Sequence, residues 1–143
     1  MKNLTVRKLT FIAVIGALYT ALTVALAPIS YGPVQFRISE VLCILPFFYP
    51  STMWGLFVGC ALSNLFGGYG PLDIVFGSLA TLAAGFCTSK IRFRPLALLP
   101  VVLFNAVVVG AVIAWSSTPH AFWAGFTVNA FQIGFAEFGV MYF

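Results

Sequence analysis

Only three acidic residues occur in 143 positions, and each is tied to a long apolar run. Glu40 and Asp73 open such runs, and Glu137 lies inside one. No Asp, Glu, Lys or Arg stands between Glu40 and Asp73, or from Pro95 to Ala136. Stretches of that kind cannot face water. In a lipid-like setting a carboxylate costs about 2.5–3.5 kcal/mol on insertion scales, so it needs a partner or a use. The composition agrees: charged residues make up 7% and the mean hydropathy is +1.07, where soluble domains hold roughly 25% charged residues. The chain reads as an integral membrane protein of one domain, with no room for a soluble catalytic module.

A membrane span needs about 20 apolar residues. Leu9–Ala27 supplies the first. Lys2, Arg7 and Lys8 before it, and Ala25-Leu26-Ala27 at its end, imitate a secretory signal. The apolar run exceeds the ~7–15 residues of a signal core, and Pro28 would follow the cut, so a retained helix is expected. Pro28, Gly32 and Pro33 break the chain into a loop over 28–37. A second helix starts at Arg37 or Ser39, runs to Phe48 and kinks at Pro46. The third covers Met53–Phe66, and the fourth Leu72–Ser89 after the glycine-rich link at 67–71. A basic loop follows at 90–95, then a fifth helix over Leu96–Trp115. After a turn at 116–120, a sixth helix runs from Phe122 to the end.

Lys2, Arg7 and Lys8 share the cytoplasmic side with Lys90, Arg92 and Arg94 under the bias of inner loops toward basic residues. An even number of crossings must separate the two groups. The expected architecture is all-α, a bundle of six transmembrane helices with a cytoplasmic amino terminus. The net charge of +4 does not point to nucleic acid, because the basic residues cluster in these loops. Because the last helix stops at Phe143 without a polar flank, the natural protein is expected to continue.

This topology sends Arg37, Glu40 and Asp73 to the outer ends of helices, joined from within the spans by Asn64, Asn105, Gln132 and Glu137. Together they could line one outward-facing cavity suited to a small, flat, polar ligand, carboxylates accepting N–H groups and amides matching paired edges. Other readings compete. Span amides often tie helices together for about 0.6 kcal/mol per bond. Arg37 and Glu40, three apart, could pair on a helix surface, and Asp73 is placed to cap the fourth helix. Glu137 has no capping explanation and calls for a ligand or an internal partner. His120 falls in an exposed loop and carries no role. Cys43, Cys60 and Cys87 stand singly in apolar runs, which indicates neither a disulfide nor a metal site and suits small hydrophobes.

Two stripes of small residues complete the pattern: Ala13, Ala17, Ala21 and Ala25 with Gly16 beside them, and Gly55, Gly59, Ser63 and Gly67. Such stripes let helices approach closely in lipid. Internal packing accounts for the second; the first serves either internal packing or docking to another protein. No H-E-x-x-H and no nucleophile–base spacing supports an enzyme. The polar groups thin out toward the cytoplasmic half, against a channel. A membrane scaffold without a ligand is the further alternative.

At these residues the chain resembles the substrate-binding S component of an energy-coupling factor (ECF) transporter, and more narrowly the QueT family of proposed queuosine-precursor transporters. The resemblance covers essentially the whole chain. It is most specific in Ala27-Pro28-Ile29-Ser30-Tyr31-Gly32-Pro33 with Gln35-Phe36-Arg37-Ile38-Ser39-Glu40, in Ser63-Asn64-Leu65-Phe66-Gly67-Gly68, and in the segment from Leu72-Asp73 to Ala80-Thr81. It implies a six-helix bundle that captures a vitamin-like molecule from outside, here a 7-deazaguanine such as 7-aminomethyl-7-deazaguanine. It also implies a membrane coupling subunit and two ABC-type ATPases as partners, which would hydrolyse the ATP, since this chain has no P-loop. The family's A-x-x-x-A coupling motif maps onto Ala13 and Ala17, flanking Gly16, which turns that stripe toward docking. A different vitamin is the alternative cargo.

Overall fold

The computed structural model describes residues 5–32 and 34–142. Lys2, Pro33 and Phe143, used in the topology above, lie outside the described residues. Six main helical runs follow one another: α1 (Val6–Ala25), α2 (Ile38–Phe48), α3 (Thr52–Gly67), α4 (Pro71–Lys90), α5 (Arg94–Ser117) and α6 (Phe122–Tyr142). No strand occurs among the described residues. Three of the runs, α1, α4 and α5, are long and apolar enough to cross a membrane. The 16 residues of α3 extend roughly 24 Å, short of a hydrocarbon core about 30 Å thick.

Exposure is inverted relative to a water-soluble protein. Phe131 is 76% and Trp123 75% exposed, while Asp73 is 0% and Glu137 2% exposed. Hydrocarbon around the bundle makes that arrangement favourable; water would not. The inner apolar core includes Ile15, Leu56, Ala84, Val101 and Met141 and runs up to Tyr19 and Cys43, which touch the charged residues.

The seam between α1 and α3 is built from glycine. A Cβ on Gly16 would sit 2.7 Å from the carbonyl oxygen of Gly55, and one on Gly59 would sit 2.7 Å from that of Gly16. The close approach lets Thr20 Oγ1 donate across the seam to the Gly59 carbonyl at 3.1 Å. Gly16 therefore serves internal packing, whereas Ala13, Ala17 and Ala21 are exposed on the other side of α1. Gly16→Val should cost about 1–3 kcal/mol through overpacking. Thermal unfolding in detergent should show this, with Ala17→Val melting like the parent; equal midpoints for both variants would mean that the seam yields.

Two irregularities shape the interior. The first seven residues of α2, Ile38–Ile44, form a 3-10 helix, and α-helical geometry begins only at Leu45, beside Pro46. Side chains three apart eclipse one another in a 3-10 helix. Arg37, Glu40, Cys43 and Pro46 are accordingly all buried, while Ile38 and Val41 are exposed. In α5, which opens with a 3-10 turn at Arg94–Leu96, Asn105–Val109 form a π-helical turn that starts at the polar residue. Gly68, with φ 74°, ends α3 in the left-handed conformation and turns the chain toward α4.

Candidate functional site

Arg37, at the start of α2, is the centre of a buried polar cluster. It is 4% exposed, and its Nη2 lies 4.0 Å from Asp73 Oδ2, the one ion pair among the described residues. The same Nη2 donates to Gln35 Oε1 at 3.3 Å, and the guanidinium stands over the Tyr31 ring, 6.0 Å from its centre. Gln35 holds a φ of 49°, a conformation rarely taken by a residue with a side chain. That turn keeps its buried amide against the guanidinium.

Glu40 is satisfied from two elements. Tyr19 Oη, from α1, donates to Glu40 Oε1 at 2.5 Å, and Cys43 Sγ, one 3-10 turn further along α2, donates to Oε2 at 3.0 Å. Thr23 and Ser39 share a hydrogen bond of 2.6 Å that also ties α1 to α2. The pairing of Arg37 with Glu40 on an outer helix surface, one of the sequence readings, does not occur; both side chains turn inward.

Asp73 is the third residue of α4, whose start has no side-chain cap, so the capping reading does not hold. Its carboxylate faces Arg37 instead. Asn64 Nδ2, near the end of α3, donates to the Asp73 backbone carbonyl at 3.1 Å. A Cβ on Gly77 would stand 2.7 Å from that nitrogen, so the glycine makes room for the contact. On the far side, Asn105 Nδ2 donates to Glu137 Oε1 at 3.3 Å, joining the π turn of α5 to α6. Glu137 and Glu40 are both buried on elements that pack against each other, α6 and the 3-10 start of α2. Gln132 is half-buried and takes no part in these bonds.

The cluster is incompletely satisfied. Buried acceptor oxygens without a hydrogen-bond partner are Asn64 Oδ1, both oxygens of Asp73 and Glu137 Oε2; the donors are Gln35 Nε2 and Arg37 Nε. A buried polar atom left unpaired costs roughly 1–3 kcal/mol. Of the three buried carboxylates, Asp73 alone stands within ion-pair distance of Arg37. The site is thus rich in hydrogen-bond acceptors that no group among the described residues satisfies.

The sequence alone gives neither Tyr19 nor Tyr31 a role of its own. Tyr19 looked like one more apolar residue of α1, yet it is fully buried on Glu40. Tyr31 donates to the Ser63 carbonyl and its own carbonyl accepts from Tyr69 Oη at 2.8 Å, fastening the loop after α1 to the end of α3. Cys43 and Cys60, expected as small hydrophobes, are buried but polar in use: Cys60 Sγ accepts from Thr81 Oγ1 at 3.3 Å. Their hydroxyl and thiol partners were the available signal, visible only once the helix faces are known.

A family model described as QueT transporter matches residues 9–143. The queuosine precursor transporter QueT of Lactococcus lactis subsp. cremoris is 39% identical over 84 residues, which are 57% of this chain and 49% of that protein. The matched segment spans about half the length of this curated relative. No solved structure matches the chain.

Proposed function

We propose that this chain, which belongs to the QueT transporter family, is the substrate-binding membrane subunit of an ECF-type importer for a queuosine precursor. Its helical runs thread the membrane six times with the amino terminus inside. The cargo is a 7-deazaguanine carrying a cationic arm, such as 7-aminomethyl-7-deazaguanine. The observation that carries this reading is the excess of unpartnered buried acceptors around one arginine.

The chemistry matches group by group. The guanine edge offers adjacent N–H donors, which the two free oxygens of Asp73 can accept together, with Asn64 Oδ1 beside them. The purine carbonyl oxygen accepts from Gln35 Nε2 or Arg37 Nε. The ammonium arm pairs with Glu137, held in place by Asn105. Glu40, with both oxygens already engaged, acts as a positioning residue that fixes α1 and α2 around the site. Gln132, half-buried on α6 five residues before Glu137, forms the rim. The loop after α1, fastened by Tyr31, covers the cargo once it is bound.

Transport then needs energy from outside this chain. Ala13 and Ala17, exposed on α1, form the docking stripe for the membrane coupling subunit, and two partner ATPases hydrolyse ATP. Titration calorimetry on the purified chain tests the cargo assignment. 7-aminomethyl-7-deazaguanine should bind, and guanine, which lacks the cationic arm, should bind at least about tenfold more weakly. Absence of heat with both compounds would overturn the assignment and favour a scaffold, and equal affinity would remove the case for a cationic cargo.

A further inference from the structure

We infer that the amino-terminal end of α1 holds one anionic phospholipid, its phosphate on Arg7 and Lys8 and an acyl chain in the hollow beside them. The inference rests on the membrane reading of the chain and not on the cargo. An open hollow of about 920 Å³ lies between the start of α1 and the turn joining α2 to α3, lined by Val6, Phe11, Val14 and Tyr49, with Arg7 and Lys8 at its head. Phe11 and Tyr49 meet edge to face at 5.8 Å, forming a wall from two separate elements.

Charge decides what fills it. Arg7 and Lys8 are exposed. The chain has three acidic side chains, and all three are buried in the polar cluster, Glu40 at 1%, Asp73 at 0% and Glu137 at 2% exposed. No carboxylate side chain of this chain is left to neutralise the two cations. In a membrane the anions at the end of a span are lipid headgroups, and basic residues placed there attract anionic lipid at about 1 kcal/mol each. The walls below the cations are mainly apolar, interrupted by the hydroxyls of Thr10 and Ser51, which suits an acyl chain better than a free anion. A lipid seated here would brace α1 against the α2–α3 turn from the outside, at the end of the bundle opposite the polar cluster.

Native mass spectrometry of the full chain, released from detergent with added phosphatidylglycerol or phosphatidylcholine of identical acyl chains, tests the site. One phosphatidylglycerol should be retained per chain in preference to phosphatidylcholine. The R7Q/K8Q variant should weaken that retention about thirtyfold. Val14→Trp, which fills the hollow and keeps both charges, should weaken it as well. Both changes are at exposed positions, so unchanged thermal unfolding in lipid-free detergent confirms that the fold is intact. Inorganic phosphate at the lipid's concentration should not displace the lipid. Equal retention of the two lipids, displacement by phosphate alone, or unchanged retention in both variants would overturn the inference. So would capture of the coupling subunit that R7Q/K8Q abolishes while phosphatidylglycerol retention stays the same, since the hollow would then be a protein interface.

Discussion

Arg37→Met should destabilise the protein by about 3–5 kcal/mol, the usual effect of removing one member of a buried ion pair. Arg37 is 4% exposed and the only cation that the cluster contains, set against Glu40, Asp73 and Glu137. Methionine fills the space of the aliphatic stem but leaves Asp73 facing a neutral group. It also releases Gln35, whose unusual backbone conformation is held against the guanidinium. Thermal unfolding in detergent reads the loss, and the double variant R37M/D73N discriminates between causes. If uncompensated charge is the cause, removing the carboxylate restores more than half of the stability. If the double variant unfolds as early as R37M, lost packing accounts for the effect. A parent-like R37M would show that the cluster needs no internal cation.

What could be read from the chain, and what could not, follows from the solvent. Proline, glycine and basic clusters marked nearly every helix boundary, because those residues act through the local backbone and need no knowledge of the surroundings. Both α4, Pro71–Lys90, and α6, Phe122–Tyr142, lie within two residues of the expected limits. Helix orientation was less accessible. In water, apolar periodicity marks the inward face; in lipid, both faces are apolar and the period carries little. Gly16 and Ala17 illustrate this: neighbours of similar size, one sealed against α3 and the other exposed. The polar residues supplied the better guide, and Arg37, Glu40, Asn64, Asp73, Asn105 and Glu137 are all buried in the interior.

The 3-10 geometry of α2 was beyond sequence reasoning. An α-helix over the same residues would rotate Arg37, Glu40, Cys43 and Pro46 progressively around the axis, by about 60° away from full turns at each third residue. Three residues per turn stack them in one line instead. Seven residues of that geometry are unusual, and they are sustained by bonds from α1: Tyr19 to Glu40 and Thr23 with Ser39. Local sequence preference gave no sign of it because tertiary hydrogen bonds hold the strained form. The same holds for Asp73, which sits three positions past the N-cap Gly70 and is instead oriented toward Arg37.

Glu137→Gln should weaken binding of 7-aminomethyl-7-deazaguanine by at least about thirtyfold, since truncating one member of a buried charged pair costs about 2–5 kcal/mol. The three acids differ in how much of their charge is already offset. Glu40 accepts from Tyr19 and Cys43, and Asp73 has Arg37 4.0 Å away. Glu137 has only the neutral amide of Asn105, and its Oε2 is unpartnered. It is therefore the carboxylate with most to gain from an ammonium group. Glutamine keeps the size and can still accept from Asn105, so the fold should survive, and guanine, which has no ammonium group to lose its partner, should stay within about twofold of the parent affinity. Calorimetry with both ligands on both proteins separates the roles. A parallel loss for guanine would mean that Glu137 reads the purine edge, and a loss confined to Asp73→Asn would move the ammonium to the other end of the cluster, beside Arg37.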